Sequence, residues 1–192
     1  YDAVLDFHNN PRTAYITFLS GAKYKVCYGN SSRRIFYNTP CQNLDGCPGE
    51  IKLSLTQPFI KDFDLKRLNA KPEVFTSAQA EKKAGEVLAS FGITPSDFLV
   101  TISPTHKRDT RRWKFEHFMD TAQHLVREHG AKVLLTYGPG EKEYITDRLT
   151  ELPENIFLIP QLNLSEFAAV IGRAKLHIGN DSAPHHFATA QN

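Results

Sequence analysis

The feature that most constrains this chain is an alternation from Phe98 onward of short apolar runs with longer segments of helical periodicity. Phe98–Ile102, Lys132–Thr136, Ile156–Ile159 and Lys175–Ile178 each read as a buried strand. Between them lie helical patterns over Phe115–His129, Glu141–Leu149 and Ser165–Ile171, with a further helix starting at Ser182. Gly130 stands where the first of these helices must stop. Strands that alternate with helices in this way pair in parallel, because each crossover returns the chain to the same end of the sheet. The expected fold class is therefore α/β, with a doubly wound, Rossmann-like lobe over residues 97–192.

The same rhythm opens the chain. Ala3–Phe7 reads as a strand, Arg12–Leu19 after Pro11 as a helix that Gly21 ends, and Lys23–Tyr28 as a second strand. From Gly29 to about Pro72 the pattern dissolves into Asn, Ser, Pro and Gly, and the expectation is a loop or lid. A helix over Ser77–Phe91 ending at Gly92 then joins the two parts. The resulting domain reading is 1–75 as part of a first lobe plus loop, 76–96 as a connecting helix region, and 97–192 as the second lobe. The chain opens on Tyr1 and closes on Asn192 inside a helical pattern, so it is expected to be an internal piece of a longer protein.

With 41% apolar and 23% charged residues the chain falls in the ordinary globular range. No apolar stretch approaches the roughly 18–20 residues of a membrane span. A formal net charge of +2 is too small to argue for nucleic acid, and the clustering of Lys107, Arg108, Arg111 and Arg112 points to a local anion site. Cys27, Cys41 and Cys47 are odd in number and lack metal-ligand spacing, which favours reduced thiols in a cytosolic enzyme over a disulfide framework.

In an open parallel sheet, ligands bind beyond the carboxyl ends of the strands. Three loops there carry chemistry. Ser103 to Trp113 includes Ser103, Thr105 and Arg111, hydroxyls and guanidinium forks suited to a diphosphate; a solvated basic loop with Trp113 in the core is the alternative. Tyr137-Gly138-Pro139-Gly140-Glu141 delivers Glu141 to a helix start, where it can accept from ribose hydroxyls or serve as an ordinary first-turn charge. Gly179 to His186 ends a strand and opens a helix. There Asp181 or Ser182 serves as the cap, Ser182 and Ala183 let phosphates approach backbone N–H groups, and His186 stands within about a turn of that end. A cap alone explains Asp181 but not the pair His185 and His186. Gly-x-Gly-x-x-Gly and P-loop signatures do not occur, and no second Cys/His cluster completes a metal site near His177, Asp181, His185 and His186.

Taken in order, Arg111-Arg112-Trp113, Tyr-Gly-Pro-Gly-Glu at 137–141 and Asp-Ser-Ala-Pro-His-His-Phe-Ala-Thr-Ala at 181–190 resemble glycosyltransferase family 9, the ADP-heptose:lipopolysaccharide heptosyltransferases. Tyr1 to Arg12, and Tyr28 with Arg34-Ile35-Phe36-Tyr37-Asn38, are similar to a late part of that family's N-terminal domain, while Cys41 to about Ala70 matches weakly. The resemblance implies a GT-B-like fold of two Rossmann-like domains with parallel sheets, the N-terminal one incomplete here. It implies an inverting, metal-independent transfer of heptose from ADP-heptose to the lipopolysaccharide inner core, with no cofactor. Asp181 would contact the sugar, the Ser182 and Ala183 backbone and His186 the diphosphate end, Glu141 the ribose, and Pro160-Gln161-Leu162 the adenine. Arg111 stands where lysine is common and Ala183 where glycine is usual. The family's general base, an aspartate in a Gly-rich loop, would lie upstream of Tyr1. The implied partners are a nucleotide-sugar donor and a lipopolysaccharide core acceptor, at the cytoplasmic side with room for peripheral membrane contact. A relative that uses another nucleotide sugar, or a non-catalytic nucleotide-binding module, are the competing readings.

Overall fold

The structure, a computed structural model, describes residues 1–68, 70–149 and 151–191. The chain divides into two compact units, Tyr1–Pro72 and Glu73–Asn192.

In the first unit, strand β1 (Ala3–Leu5), helix α1 (Pro11–Leu19), strand β2 (Tyr24–Tyr28) and strand β3 (Thr39–Cys41) build a parallel sheet in the order β1-β2-β3. Helix α1 starts where it does because Asn10 Oδ1 accepts from Thr13 N at 2.9 Å, the Asn10 N–H donates back to Thr13 Oγ1, and Pro11 brings no N–H that needs a partner. It ends at Ser20, and Gly21 follows at φ +68°, a turn that a residue without Cβ makes freely. Asp6, at the carboxyl end of β1, is buried and accepts from the Tyr37 hydroxyl at 2.6 Å and from the His8 and Asn9 N–H groups. Burial alone raises its pKa, but these hydrogen bonds outweigh that and hold it below the ordinary value.

The segment from Gly29 to Pro72 is not the featureless loop that its composition suggests. It contains β3, helix α2 (Pro48–Leu53) and a 3-10 turn over Ser54–Phe59. Pro40 hides β3 from a propensity reading, yet a proline is tolerated there because β3 is the edge of its sheet. Within Gly-Cys-Pro-Gly, Cys47 precedes a helix whose Glu50 carboxylate accepts from Cys47 N at 2.7 Å. Leu55, fully buried with Val26 and Cys41, anchors the segment on the sheet. Cys27 packs with Ala14 and Tyr37 and Cys41 with Val26 and Leu55; both thiols are buried, burial pushes that of Cys41 up to about 11, and all three cysteines are free.

The second unit contains helix α3 (Ala78–Ser90), strand β4 (Leu99–Ser103), helix α4 (Phe115–His129), strand β5 (Lys132–Leu135), helix α5 (Lys142–Thr146), strand β6 (Ile156–Leu158), helix α6 (Leu164–Ile171), strand β7 (Leu176–Gly179) and helix α7 (Ala183–Gln191). Its parallel sheet runs β6-β5-β4-β7, with every residue of β4 buried. Alternation along the strands divides the apolar residues between two layers. Leu99 and Leu134 meet Ala80, Ala84, Val87 and Leu88 of α3 and Ala169 and Val170 of α6. Val100, Ile102, Val133 and Leu135 meet Phe115, Phe118, Met119 and Ala122 of α4 and Ile145 of α5. Helices thus cover both faces, as a doubly wound sheet requires. Helix α3, inside the stretch 76–96, packs on α6, and Arg173 reaches the Glu81 carboxylate at 3.0 Å. Helix α4 stops at Gly130, left-handed at φ 60°, while α5 is shorter than the 141–149 periodicity suggests.

On β7, paired with β4, His177 Nδ1 lies 2.9 Å from the Thr101 hydroxyl, and Nε2 is buried without a hydrogen-bond partner among the described residues. Burial, reinforced by the nearby His185, lowers its pKa from 6.5 to about 4, so the ring is neutral near pH 7. Below 6.5 the unfolded chain takes up a proton at this ring that the folded chain refuses. The stability contributed by the neutral ring is therefore present above 6.5 and lost as pH falls through about 4. Urea denaturation at about pH 7 and about pH 5 should show a smaller loss of stability in His177→Gln than in the unsubstituted chain; equal losses would contradict this.

Candidate functional site

The carboxyl ends of β4, β5, β6 and β7 open into one cleft of about 820 Å³, within the roughly 300–1,000 Å³ of small-molecule sites. Its walls are the loops that follow the four strands. Thr105, His106, Lys107, Arg108 and Arg111 come from the loop after β4; Tyr137 to Glu143 from the turn after β5; Ile159 to Leu164 with Phe167 from the segment after β6; and Ser182, Ala183, Pro184 and Phe187 from the start of α7.

The lining has an excess of cations, with Lys107, Arg108, Arg111 and Lys142 against the carboxylates Glu141 and Glu143. Arg111 Nη1 lies 3.7 Å from Asp181 Oδ2, and both side chains are largely solvent-exposed. Such a pair contributes little to stability in water, which leaves Arg111 available to a ligand. Arg112 is of another kind. Its side chain is 22% exposed, it donates to the His106 carbonyl, pairs with Asp109 at 3.1 Å and lies 4.2 Å over the Tyr144 ring, whose contact with Arg148 is 4.0 Å. Arg112 holds the loop; Lys107, Arg108 and Arg111 face the cleft.

Glu141 is fixed by its own turn. Gly140 at φ +76° reverses the chain, and Glu141 Oε2 accepts from Gly138 N at 3.1 Å, while the second carboxylate oxygen takes no part in the turn. The cleft also has an apolar lining: Ile159, Pro160, Leu162 and Leu164 with Phe167 and Phe187, whose rings meet edge to face at 6.1 Å. A flat heteroaromatic ring fits such a surface.

Of the residues singled out from sequence, Thr105, Arg111, Glu141, Leu162, Ser182 and Ala183 line the cleft. Ser103 does not: it is 1% exposed, and its hydroxyl is bonded to that of Thr136 beneath the cleft floor. Asp181 stands beside the lining residues through Arg111. His186 is exposed, its ring 6.0 Å from that of His185, and it is absent from the lining. The Ser182 hydroxyl donates to the Asn180 carbonyl at 3.3 Å rather than capping α7. Phe167 and Phe187 were not singled out, because apolar residues at helical spacing read as core. Asn180, 7% exposed, carries no local signal of its own within the run around it; its Nδ2 donates to the carbonyls of Pro104 at 3.1 Å and Thr105 at 3.3 Å, and its Oδ1 accepts from Trp113 N at 2.9 Å. Among the described residues, no three His, Cys, Asp or Glu side chains gather as a metal site, and no helix is long and apolar enough to cross a membrane.

A parallel sheet with helices on both faces and a cationic cleft at its carboxyl edge is the architecture of a Rossmann-like ligand-binding lobe. The chain belongs to glycosyltransferase family 9 (heptosyltransferase), whose family pattern matches residues 1–192. It is 24% identical over 209 residues to the lipopolysaccharide core heptosyltransferase OpsX of Haemophilus influenzae, a match that takes in 100% of this chain and 54% of OpsX. A family 9 glycosyl transferase from Veillonella parvula superposes with a TM-score of 0.73 at 21% identity, over 99% of this chain and 54% of that one. The E. coli heptosyltransferase WaaC, solved with ADP-2-deoxy-2-fluoro heptose, gives 0.72 at 19% identity over 100% and 59%. The α/β fold with parallel sheets is thus that of GT-B-like family 9 structures. The chain spans little more than half the length of the curated relatives it matches.

The division among the cations is testable by thermal denaturation. Arg112→Ala should lower Tm by several degrees, because it removes the Tyr144 stacking and the bond to His106, together worth about 1–2 kcal/mol. Lys107→Ala, Arg108→Ala and Arg111→Ala should leave Tm within about a degree or two, as exposed cations do. A drop for Arg111→Ala as large as that for Arg112→Ala would contradict the assignment.

Proposed function

We propose that the second unit is the donor lobe of an inverting, metal-independent glycosyltransferase that moves heptose from ADP-heptose to the lipopolysaccharide inner core, without a cofactor. The observation that carries this reading is one cleft lined both by cations, Lys107, Arg108 and Arg111, beside the start of α7, and by apolar side chains, Leu162, Phe167 and Phe187. A nucleoside diphosphate sugar needs both, a charged diphosphate beside a flat base. Membership in family 9 and the relative named a lipopolysaccharide core heptosyltransferase support the choice of sugar and acceptor. Such an enzyme would work at the cytoplasmic side, where nucleotide sugars are found, with peripheral contact to the membrane that bears the acceptor.

In this reading Arg111 and the first turn of α7 neutralise the diphosphate, the adenine lies against the apolar lining at Leu162 and Phe187, and the free oxygen of Glu141 accepts from the ribose hydroxyls. Asp181 hydrogen-bonds the sugar. His186, exposed on α7, reaches the phosphates only if the ligand extends past the lining residues, and Ser103 acts from below through Thr136. The bond from the anomeric carbon to the phosphate oxygen breaks as the acceptor hydroxyl attacks from the opposite face. Charge then accumulates on the leaving diphosphate, where a fixed guanidinium lowers the barrier most. These residues perform donor binding and leaving-group stabilisation; removal of the acceptor proton is not assigned to any of them.

Calorimetric titration with ADP-, UDP- and GDP-sugars in parallel tests the reading. The ADP-sugar should bind most tightly, and Arg111→Ala or Asp181→Ala should weaken it by roughly tenfold or more, the loss expected for one charge-assisted hydrogen bond. Unchanged affinity in both variants would overturn the site.

A further inference from the structure

The loop between β4 and α4 leaves the sheet at Pro104 and returns at Trp113, and its two ends meet at one side chain. We propose that Asn180 is a positioning residue of the donor site, clamping this loop so that Arg111 is held next to the start of α7; the proposal rests on the donor-site reading above.

The carboxamide of Asn180 uses both its ends. Nδ2 donates to the carbonyls of Pro104 and Thr105, and Oδ1 accepts from the Trp113 backbone N–H. The orientation of the amide follows from its partners, since the two carbonyls can only accept and the backbone N–H can only donate. Asn180 is buried, so each of these backbone groups would lose its partner without gaining water if the side chain were removed. The excursion that it closes carries His106, Lys107, Arg108 and Arg111 into the cleft. Inside the loop, Arg112 bonds the His106 carbonyl and the Arg111 N–H bonds the Arg108 carbonyl, which shapes the excursion but does not tie it to β7. Besides the exposed Arg111–Asp181 pair, the tie is Asn180, the residue immediately before Asp181 and Ser182. This buried side chain therefore sets the separation between the guanidinium on one loop and the helix start on the other. No other residue type of similar size presents a donor and an acceptor in this geometry. Aspartate keeps the acceptor for Trp113 but turns a charge toward two carbonyl oxygens, and serine is too short to span both ends.

Asn180 touches no ligand in this account, and the proposal routes its effect through Arg111. A double-mutant cycle read by ADP calorimetry separates this from general damage to the fold. Asn180→Asp should weaken ADP binding by roughly tenfold when Arg111 is present and by less than about twofold in the Arg111→Ala background, while lowering Tm equally in both. Asn180→Ser serves the same cycle should the aspartate variant fail to fold. The same factor of loss in both backgrounds, or unchanged affinity with a lowered Tm, overturns the proposal and leaves the donor site intact. Affinity indifferent to Arg111→Ala overturns this proposal, and a chain that binds no ADP overturns the donor-site reading and this proposal with it.

Discussion

Everything at the candidate site depends on β4 being paired on both sides in parallel, with β5 on one edge and β7 on the other. The chain leaves β4 toward β5 and β6, then crosses back to lay β7 against the opposite edge. At such a reversal the loops following the two neighbouring strands diverge to opposite faces of the sheet, and a crevice opens between them. Here that crevice separates the loop bearing Arg111 from the start of α7. Because β4 is buried along its whole length, the point at which the Arg111 loop leaves the sheet is fixed by the core.

Three kinds of interaction then convert a crevice into a site. Hydrogen bonds from buried polar side chains, Asn180 above all and Ser103 to Thr136 below, fix the loops where no water competes. Cations are divided between those that shape and those that remain available, with Arg112 packed on Tyr144 and Arg111 met only by an exposed carboxylate. Apolar side chains from successive helices, Leu164 and Phe167 of α6 and Phe187 of α7, extend the hydrophobic layer over the carboxyl edge of the sheet. The site is thus preorganised by the fold before any ligand enters, which is the condition for charge stabilisation without a reorganisation cost.

The alternation from Phe98 onward was legible because each strand is a short apolar run and each helix shows a single buried stripe, as Phe115, Phe118, Met119 and Ala122 do in α4. The parallel pairing of the strands and the edge at which the cleft opens followed from that alternation, but their order in the sheet did not. What composition concealed was β3, where Pro40 masks an edge strand, and α2, where Gly, Cys and Pro imitate a loop. Within the site, residue type showed which side chains could bind an anion but not which way each one faces. Ser103 continues the alternation of β4 and so turns inward, and Arg112 turns back on Tyr144. The role of Asn180 within its run is not legible, because a side chain that bonds backbone more than 60 residues away leaves no local pattern.

The central claim is that the crevice between the β4 and β7 loops holds a nucleotide diphosphate. A crystal structure of the protein grown with ADP tests it most directly. The account predicts the diphosphate between the Arg111 guanidinium and the backbone of Ser182 and Ala183, with the adenine against Leu162 and Phe187. An ADP bound with its phosphates away from Arg111 and α7, or outside this cleft, would contradict it.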